Sequence, residues 1–161
     1  MKKIFLILFL VAGCIIYKPA AAQVSININI GSQPVGGPVG YDYVEYYYLP
    51  DIEVYYYIPA RQFVYLSNGK WIFAASLPYQ HRSYNLYTGY KVIINEPQPY
   101  LHFHTHQVVY AKYRGNYNRQ IIIKNCNEPK YYVVKGHPKY NGGGGNGNGN
   151  GNGKGNGKGK G

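Results

Sequence analysis

The sequence predicts a mainly β fold: a small antiparallel sheet, arranged as a sandwich or an open barrel. Three observations lead there. Short runs rich in Val, Ile, Tyr and Phe are bounded by Gly, Pro, Asn or Asp. Asn68-Gly69 stands between two such runs and is the strongest short hairpin signal in the chain. No segment sustains the 3.6-residue apolar period of an amphipathic helix.

The chain opens on Lys2 and Lys3, an apolar run from Ile4 to Ile16, and Ala20-Ala21-Ala22 before Gln23, the pattern of an export signal over residues 1–22. The apolar run is shorter than the roughly 20 residues needed to span a bilayer. The mature protein is therefore expected outside the cytoplasm: periplasmic, outer-membrane-associated or secreted, not transmembrane after cleavage, and with no intracellular nucleic acid as partner. Val11-Ala12-Gly13-Cys14 offers a second reading, a lipobox in which Cys14 becomes a lipid-anchored N-terminus. Against it stand the short signal it implies and Ile15-Ile16-Tyr17, which carry the apolar run past the cleavage point. With cleavage after Ala22, Cys126 is the one remaining cysteine, so no intramolecular disulfide forms, and a buried, inert thiol on a strand is expected.

From Val24 to Ile30, aliphatic residues alternate with Ser25, Asn27 and Asn29, which predicts a strand with one wet face. Gly and Pro between Ser32 and Gly40 predict an extended linker, making 23–40 an N-terminal strand and linker and 41–140 the β-rich domain. Runs 43–49 and 52–58 are joined across Pro50-Asp51. Runs 62–67 and 70–75 flank Asn68-Gly69, and a two-residue turn there sets Ser67 opposite Lys70, Leu66 opposite Trp71 and Val64 opposite Phe73. Both faces of that hairpin are apolar, so both are expected to be covered, with Trp71 buried. Residues 79–90 read as a loop or one helical turn, 91–95 as a short strand, 101–113 as another, and 120–125 with 131–135 as a late hairpin. Asn141 to Gly161 contains only Gly, Asn and Lys, the composition of a disordered tail.

The formal charge is +11, but signal and tail carry much of it: residues 23–140 hold 11 basic and six acidic side chains. Residues 82–140 hold nine Lys or Arg against Glu96 and Glu128. That bias, with the lysines of the tail, suits an anionic surface such as lipopolysaccharide, acidic polysaccharide or extracellular DNA; the alternative, and the more ordinary reading, is solubility.

Tyrosine is the compositional anomaly, with 21 in the chain and two triplets, Tyr46-Tyr47-Tyr48 and Tyr55-Tyr56-Tyr57. Strand geometry sends consecutive tyrosines to opposite faces, so part of each triplet is expected at the surface. Tyr46, Tyr48, Tyr55 and Tyr57 are the candidate aromatic binding residues, suited to stacking on a polysaccharide or packing against a partner protein. The alternative is that tyrosine is used for its β propensity alone. His102, His104 and His106 alternate, and on a strand they would line one face at a spacing suited to Zn or Cu; the alternative is exposed or packing histidines. No nucleophile elbow, phosphate loop or metalloprotease motif occurs, and Asp51 with Glu53 is the one carboxylate pair, so a non-enzymatic protein is expected.

The stretch Tyr46-Tyr47-Tyr48-Leu49-Pro50-Asp51-Ile52-Glu53-Val54-Tyr55-Tyr56, then Asn68-Gly69-Lys70-Trp71, Leu77-Pro78 and Pro99-Tyr100, resembles a group of small exported proteins of unknown function from Gram-negative bacteria. The resemblance spans about residues 41–100 and implies an envelope-associated β-domain, with no catalytic residues. The expected function is a non-enzymatic exported envelope protein whose tyrosine-rich sheet binds polysaccharide or a partner protein. The alternative is a periplasmic metal-binding protein using the three histidines.

Overall fold

The computed structural model describes residues 27–142; the expected signal and nearly all of the tail lie outside them. The fold is mainly β. One five-stranded antiparallel sheet is built from β1 (Tyr46–Leu49), β2 (Val54–Tyr57), β3 (Gln62–Ser67), β4 (Lys70–Ala74) and β5 (Val92–Ile94), in the order β4-β3-β2-β1-β5. Strands β1 to β4 form a meander of hairpins. β5 returns after a 17-residue excursion to pair with β1, setting Tyr46 opposite Ile94 and Tyr48 opposite Val92.

The Asn68-Gly69 turn has the expected register, pairing Ser67 with Lys70, Leu66 with Trp71 and Val64 with Phe73. Both turn residues have positive φ, 49° and 73°, as a two-residue hairpin turn of right-handed twist requires. The β1–β2 register sets Tyr48 opposite Tyr55 and Tyr46 opposite Tyr57. Their rings meet at centroid distances of 4.9 and 4.6 Å. Such cross-strand aromatic pairs contribute about 0.5–1.5 kcal/mol each beyond the area they bury.

Both faces of the sheet centre are buried, and this departs from the sequence reading. Tyr46, Tyr47, Tyr48 and Leu49 are all buried, as are Val54 and Tyr55. On one face, Tyr46, Tyr48, Tyr55, Val64 and Ile94 pack with Phe103 under a short helix, α1 (Phe103–Val109), and the 3-10 turn Pro99–His102 before it. On the other, Leu49, Val54 and Phe63 pack with Ile52 and Leu77, while Tyr47 packs with Val44 and Ile58.

The expected linker is part of that second cover. Gln33 is buried and accepts a hydrogen bond from Tyr47 at 3.0 Å. The amides of Ile123 and Lys124 donate to the carbonyls of Gly37 and Val35, both at 2.8 Å, and Pro38 bridges Ile122. A satellite core of Ile30, Ile123, Cys126, Tyr131 and Val134 closes around this junction. Cys126 is buried, as expected, but it ends a 3-10 turn and lies on no strand.

Four further expectations fail for local reasons. Residues 27–30 are irregular and enter a 3-10 turn, because the Asn29 side chain bonds both the amide and the carbonyl of Val44 and takes the place of a strand neighbour. Residues 101–113 form 3-10 and α-helix, since Pro99 starts a helical turn and Phe103, His106 and Tyr110 recur at helical spacing on the buried side. The late hairpin is replaced by 3-10 turns Ile123–Asn125 and Pro129–Tyr131; Gln120 caps the sheet instead, its side-chain amide bonding both the amide and the carbonyl of Lys91 at 2.8 Å. The β3–β4 hairpin is not covered on both faces. β4 is an edge strand: Trp71 is half-buried, and Leu66, Ile72 and Phe73 are 41%, 37% and 47% exposed. Among the described residues, no helix is long and apolar enough to cross a membrane.

Gly37 fixes how closely the N-terminal cover approaches the sheet, because a Cβ there would stand 2.3 Å from the Tyr47 hydroxyl oxygen. Gly37→Ala is expected to lift the cover and cost about 1–3 kcal/mol, the usual penalty for overpacking, read from urea unfolding. Gly40→Ala makes the control, since nothing lies near its Cβ, although its φ of +98° carries its own backbone cost. Loss of the Tyr47–Gln33 contact, seen by NMR, is expected for Gly37→Ala alone.

Candidate functional site

The histidine stretch takes its geometry from α1. A helix turns about 100° per residue, so alternate residues diverge and His104 leaves the other two. His104 is exposed and contacts Gln107 at 3.2 Å, whereas His102 and His106, one turn apart, both approach Glu96 Oε1, at 3.7 and 3.2 Å. The three imidazoles of the sequence reading therefore do not share a face. Among the described residues, no group of three His, Cys, Asp or Glu is placed to hold a metal ion. Glu96, the carboxylate nearest the stretch in sequence, is brought back onto the helix by the 3-10 turn Pro99–His102.

His106 is buried and bridges sheet to surface. Its Nδ1 lies 2.9 Å from the Tyr55 hydroxyl and its Nε2 3.2 Å from Glu96. A carboxylate accepts only, so Nε2 carries the proton and donates to Glu96, leaving Nδ1 to accept from Tyr55. Burial lowers the His106 pKa, with Glu96 pulling the other way and His102 adding to the depression. Burial raises the Tyr55 pKa well above the ordinary phenol value, with Tyr48 and Glu96 adding to it. Both groups are thus held neutral at pH 7, suiting a structural relay. The neighbouring Tyr48 hydroxyl is buried without a hydrogen-bond partner. Burial and Glu53 push its pKa up to about 12, against the nearby Arg114 guanidinium. Arg114 and Gln107 both bond Glu53, the latter at 2.6 Å, clamping α1 and the turn after it to the β1–β2 loop.

Of the four tyrosines expected to form a binding surface, Tyr46, Tyr48 and Tyr55 are buried core, and only Tyr57 is half-buried. The correction follows from the cover: α1 and the turn before it fill the space above them. The open aromatic surface lies further along the same face, at the β4 edge. Trp71 meets Tyr100 and Phe103, both at 5.3 Å, and Phe73 meets Tyr100 at 5.4 Å. Phe73 and Leu66 stay open beside them, and Ile72 opens on the reverse face. The hydrophobic pattern placed Trp71 and Phe73 in the core. Their edge position becomes visible only with the strand order, since no later strand adds to β4. Comparison with protein-family models, curated proteins and solved structures finds no match.

Two substitutions separate the buried hydroxyls. Tyr48→Phe removes an unpartnered group and is expected to be neutral or stabilising by up to about 1 kcal/mol. Tyr55→Phe orphans His106 Nδ1 and is expected to cost about 1–3 kcal/mol, both read from urea unfolding at pH 7.5. The folded His106 pKa lies below the unfolded value, so the unfolded chain binds the proton first as pH falls. Stability from this group is complete above about pH 6.5 and is lost as the pH drops below that toward the folded pKa. His106→Gln is expected to flatten the slope of unfolding free energy between pH 7 and 5.

Proposed function

We propose that the chain is a non-enzymatic exported envelope protein that binds a partner protein through the β4 edge and the aromatic surface beside it. One observation carries the reading: the sheet ends on an edge strand whose sequence, Lys-Trp-Ile-Phe-Ala, exposes Ile72 and Phe73 on opposite faces. An open edge offers unpaired backbone donors and acceptors to an extended segment, and apolar side chains on both faces give that segment something to pack on. Natural edge strands usually carry charge to prevent such pairing, and here only Lys70 does so. Export rests on residues 1–22, and its test is the N-terminus of the mature protein recovered from fractionated cells: Gln23 for simple cleavage, a lipidated Cys14 for the lipobox.

Polysaccharide is the second ligand to test, because Trp71, Phe73 and Tyr100 present partly open rings together. Mature protein is immobilised and challenged with envelope extract and with a glycan array, alongside Phe73→Lys and Ile72→Lys. Partner-protein capture is expected to fall at least about tenfold in both variants, since a charge on either face opposes strand addition. Melting temperatures should change by only a few degrees, as both side chains are partly solvated on an edge strand. Loss in Phe73→Lys alone, with glycans retained on the array, points to the aromatic face and polysaccharide. Unchanged capture in both variants contradicts a β4 site.

A further inference from the structure

The face of the sheet opposite Trp71 and Phe73 carries a cleft of about 210 Å³. It lies where the N-terminal cover and the loop before β5 leave the sheet incompletely covered. Tyr47, Leu49, Tyr56 and Phe63 contribute from the sheet, and Val35 and Leu86 from the covering segments. This lining is mainly apolar, yet two cationic residues join it, Lys91 and Arg61.

Lys91 precedes β5 and shares the strand parity of Ile93, which pairs with Tyr47, so its side chain is directed to this face. It is only 4% exposed. Its ammonium donates to the carbonyl of Gly89 at 2.9 Å, and among the described residues no carboxylate lies within ion-pair reach. An ammonium has three donors, so a buried lysine with one acceptor and no direct ion-pair partner is a costly arrangement to retain. Burial lowers its pKa to about 8, opposed by the more distant Asp51, which leaves it mostly protonated at neutral pH. Arg61 comes from the turn between β2 and β3, where it holds φ at +55°, a conformation a non-glycine side chain adopts at a cost of about 1 kcal/mol or more.

We propose that this cleft binds a small amphipathic carboxylate, its apolar chain or ring lying on the aromatic floor and its carboxylate drawn to Lys91, with Arg61 adding positive charge from the other end of the cleft. The charge pattern selects the class. A neutral apolar molecule leaves the lysine uncompensated, a simple inorganic anion leaves the apolar floor unused, and a cation is repelled. A pocket of this size, mostly apolar with a few polar anchors, is the usual form of a small-molecule site. The site is independent of the β4 edge and requires no chemistry at the lysine.

Calorimetry on the full mature chain at pH 7 tests it with three probes of equal chain length: decanoate, decanol and decyltrimethylammonium. Decanoate is expected to bind at least about tenfold more tightly than decanol, with no measurable binding of the cation. Lys91→Met should reduce decanoate affinity by about tenfold or more while leaving decanol binding unchanged or tighter, and it should not lower the melting temperature, because a buried charge is replaced by an apolar chain of similar volume. Arg61→Gln is solvent-exposed and serves as the second variant, with a loss of several-fold expected. The proposal is overturned if decanoate gives no binding at millimolar concentration, if decanoate and decanol bind equally, or if neither variant alters the decanoate affinity.

Discussion

Three consecutive tyrosines in a strand cannot share a face, and the two triplets lie side by side in β1 and β2. Burying them requires cover on both sides of the sheet, and the rest of the chain supplies it. The α1 segment lies over Tyr46, Tyr48 and Tyr55, while the N-terminal segment and the 77–87 region lie against the reverse face. A tyrosine hydroxyl taken from water also needs an acceptor, and the contacts between the sheet and its covers provide several. Gln33 receives Tyr47, His106 receives Tyr55, and Asp51 receives Tyr84 at 2.7 Å. Each such bond fixes the position of a cover as well as satisfying a group, because losing it strands a buried polar atom. Packing and hydrogen bonding thus specify the same arrangement, with Tyr48 as the one buried side-chain hydroxyl left out among the described residues.

Irregular segments can serve as covers because side chains and turns replace strand pairing where the chain has none. Asn29 pairs with Val44, Gln120 pairs with Lys91, and Asn95 accepts from the amide of Glu45 at 2.8 Å and bonds the carbonyl of Tyr43. These amide side chains satisfy backbone groups at the sheet margins without extending the sheet. This explains a small fold that is mainly β in its regular structure yet places much of its chain in turns and loops.

Local chemistry made the centre of the sheet legible in the sequence. Asn68-Gly69 determined a register to the residue, and the β-branched run within 91–95, bounded by Pro97, was legible as the short strand found at Val92–Ile94. What failed depended on tertiary partners. A Gly/Pro-rich stretch reads as a linker unless a tyrosine ring demands close approach, as Tyr47 does at Gly37. His102-Phe103-His104-Thr105-His106 alternates like a strand, and its helical identity lies in Phe103, His106 and Tyr110, side chains whose common target is visible only once the sheet exists. Tyr46, Tyr48 and Tyr55 were misplaced for the same reason: strand parity gives the two faces but not what covers them. The β4 surface escaped notice because an apolar edge strand and a core strand have the same composition. Lys91 and Arg61 lie 30 positions apart and share a cleft only through the fold.

The central claim is that both tyrosine triplets are chiefly core. Nitration with tetranitromethane under native conditions, mapped by mass spectrometry, tests it residue by residue. Tyr79, Tyr87 and Tyr117 are 81%, 47% and 50% exposed and are expected to be modified, whereas Tyr47, Tyr48 and Tyr55, at most 1% exposed, should be protected until the protein is unfolded in urea. Comparable modification of Tyr47, Tyr48 and Tyr55 in the native protein would contradict the two-sided burial on which the fold depends.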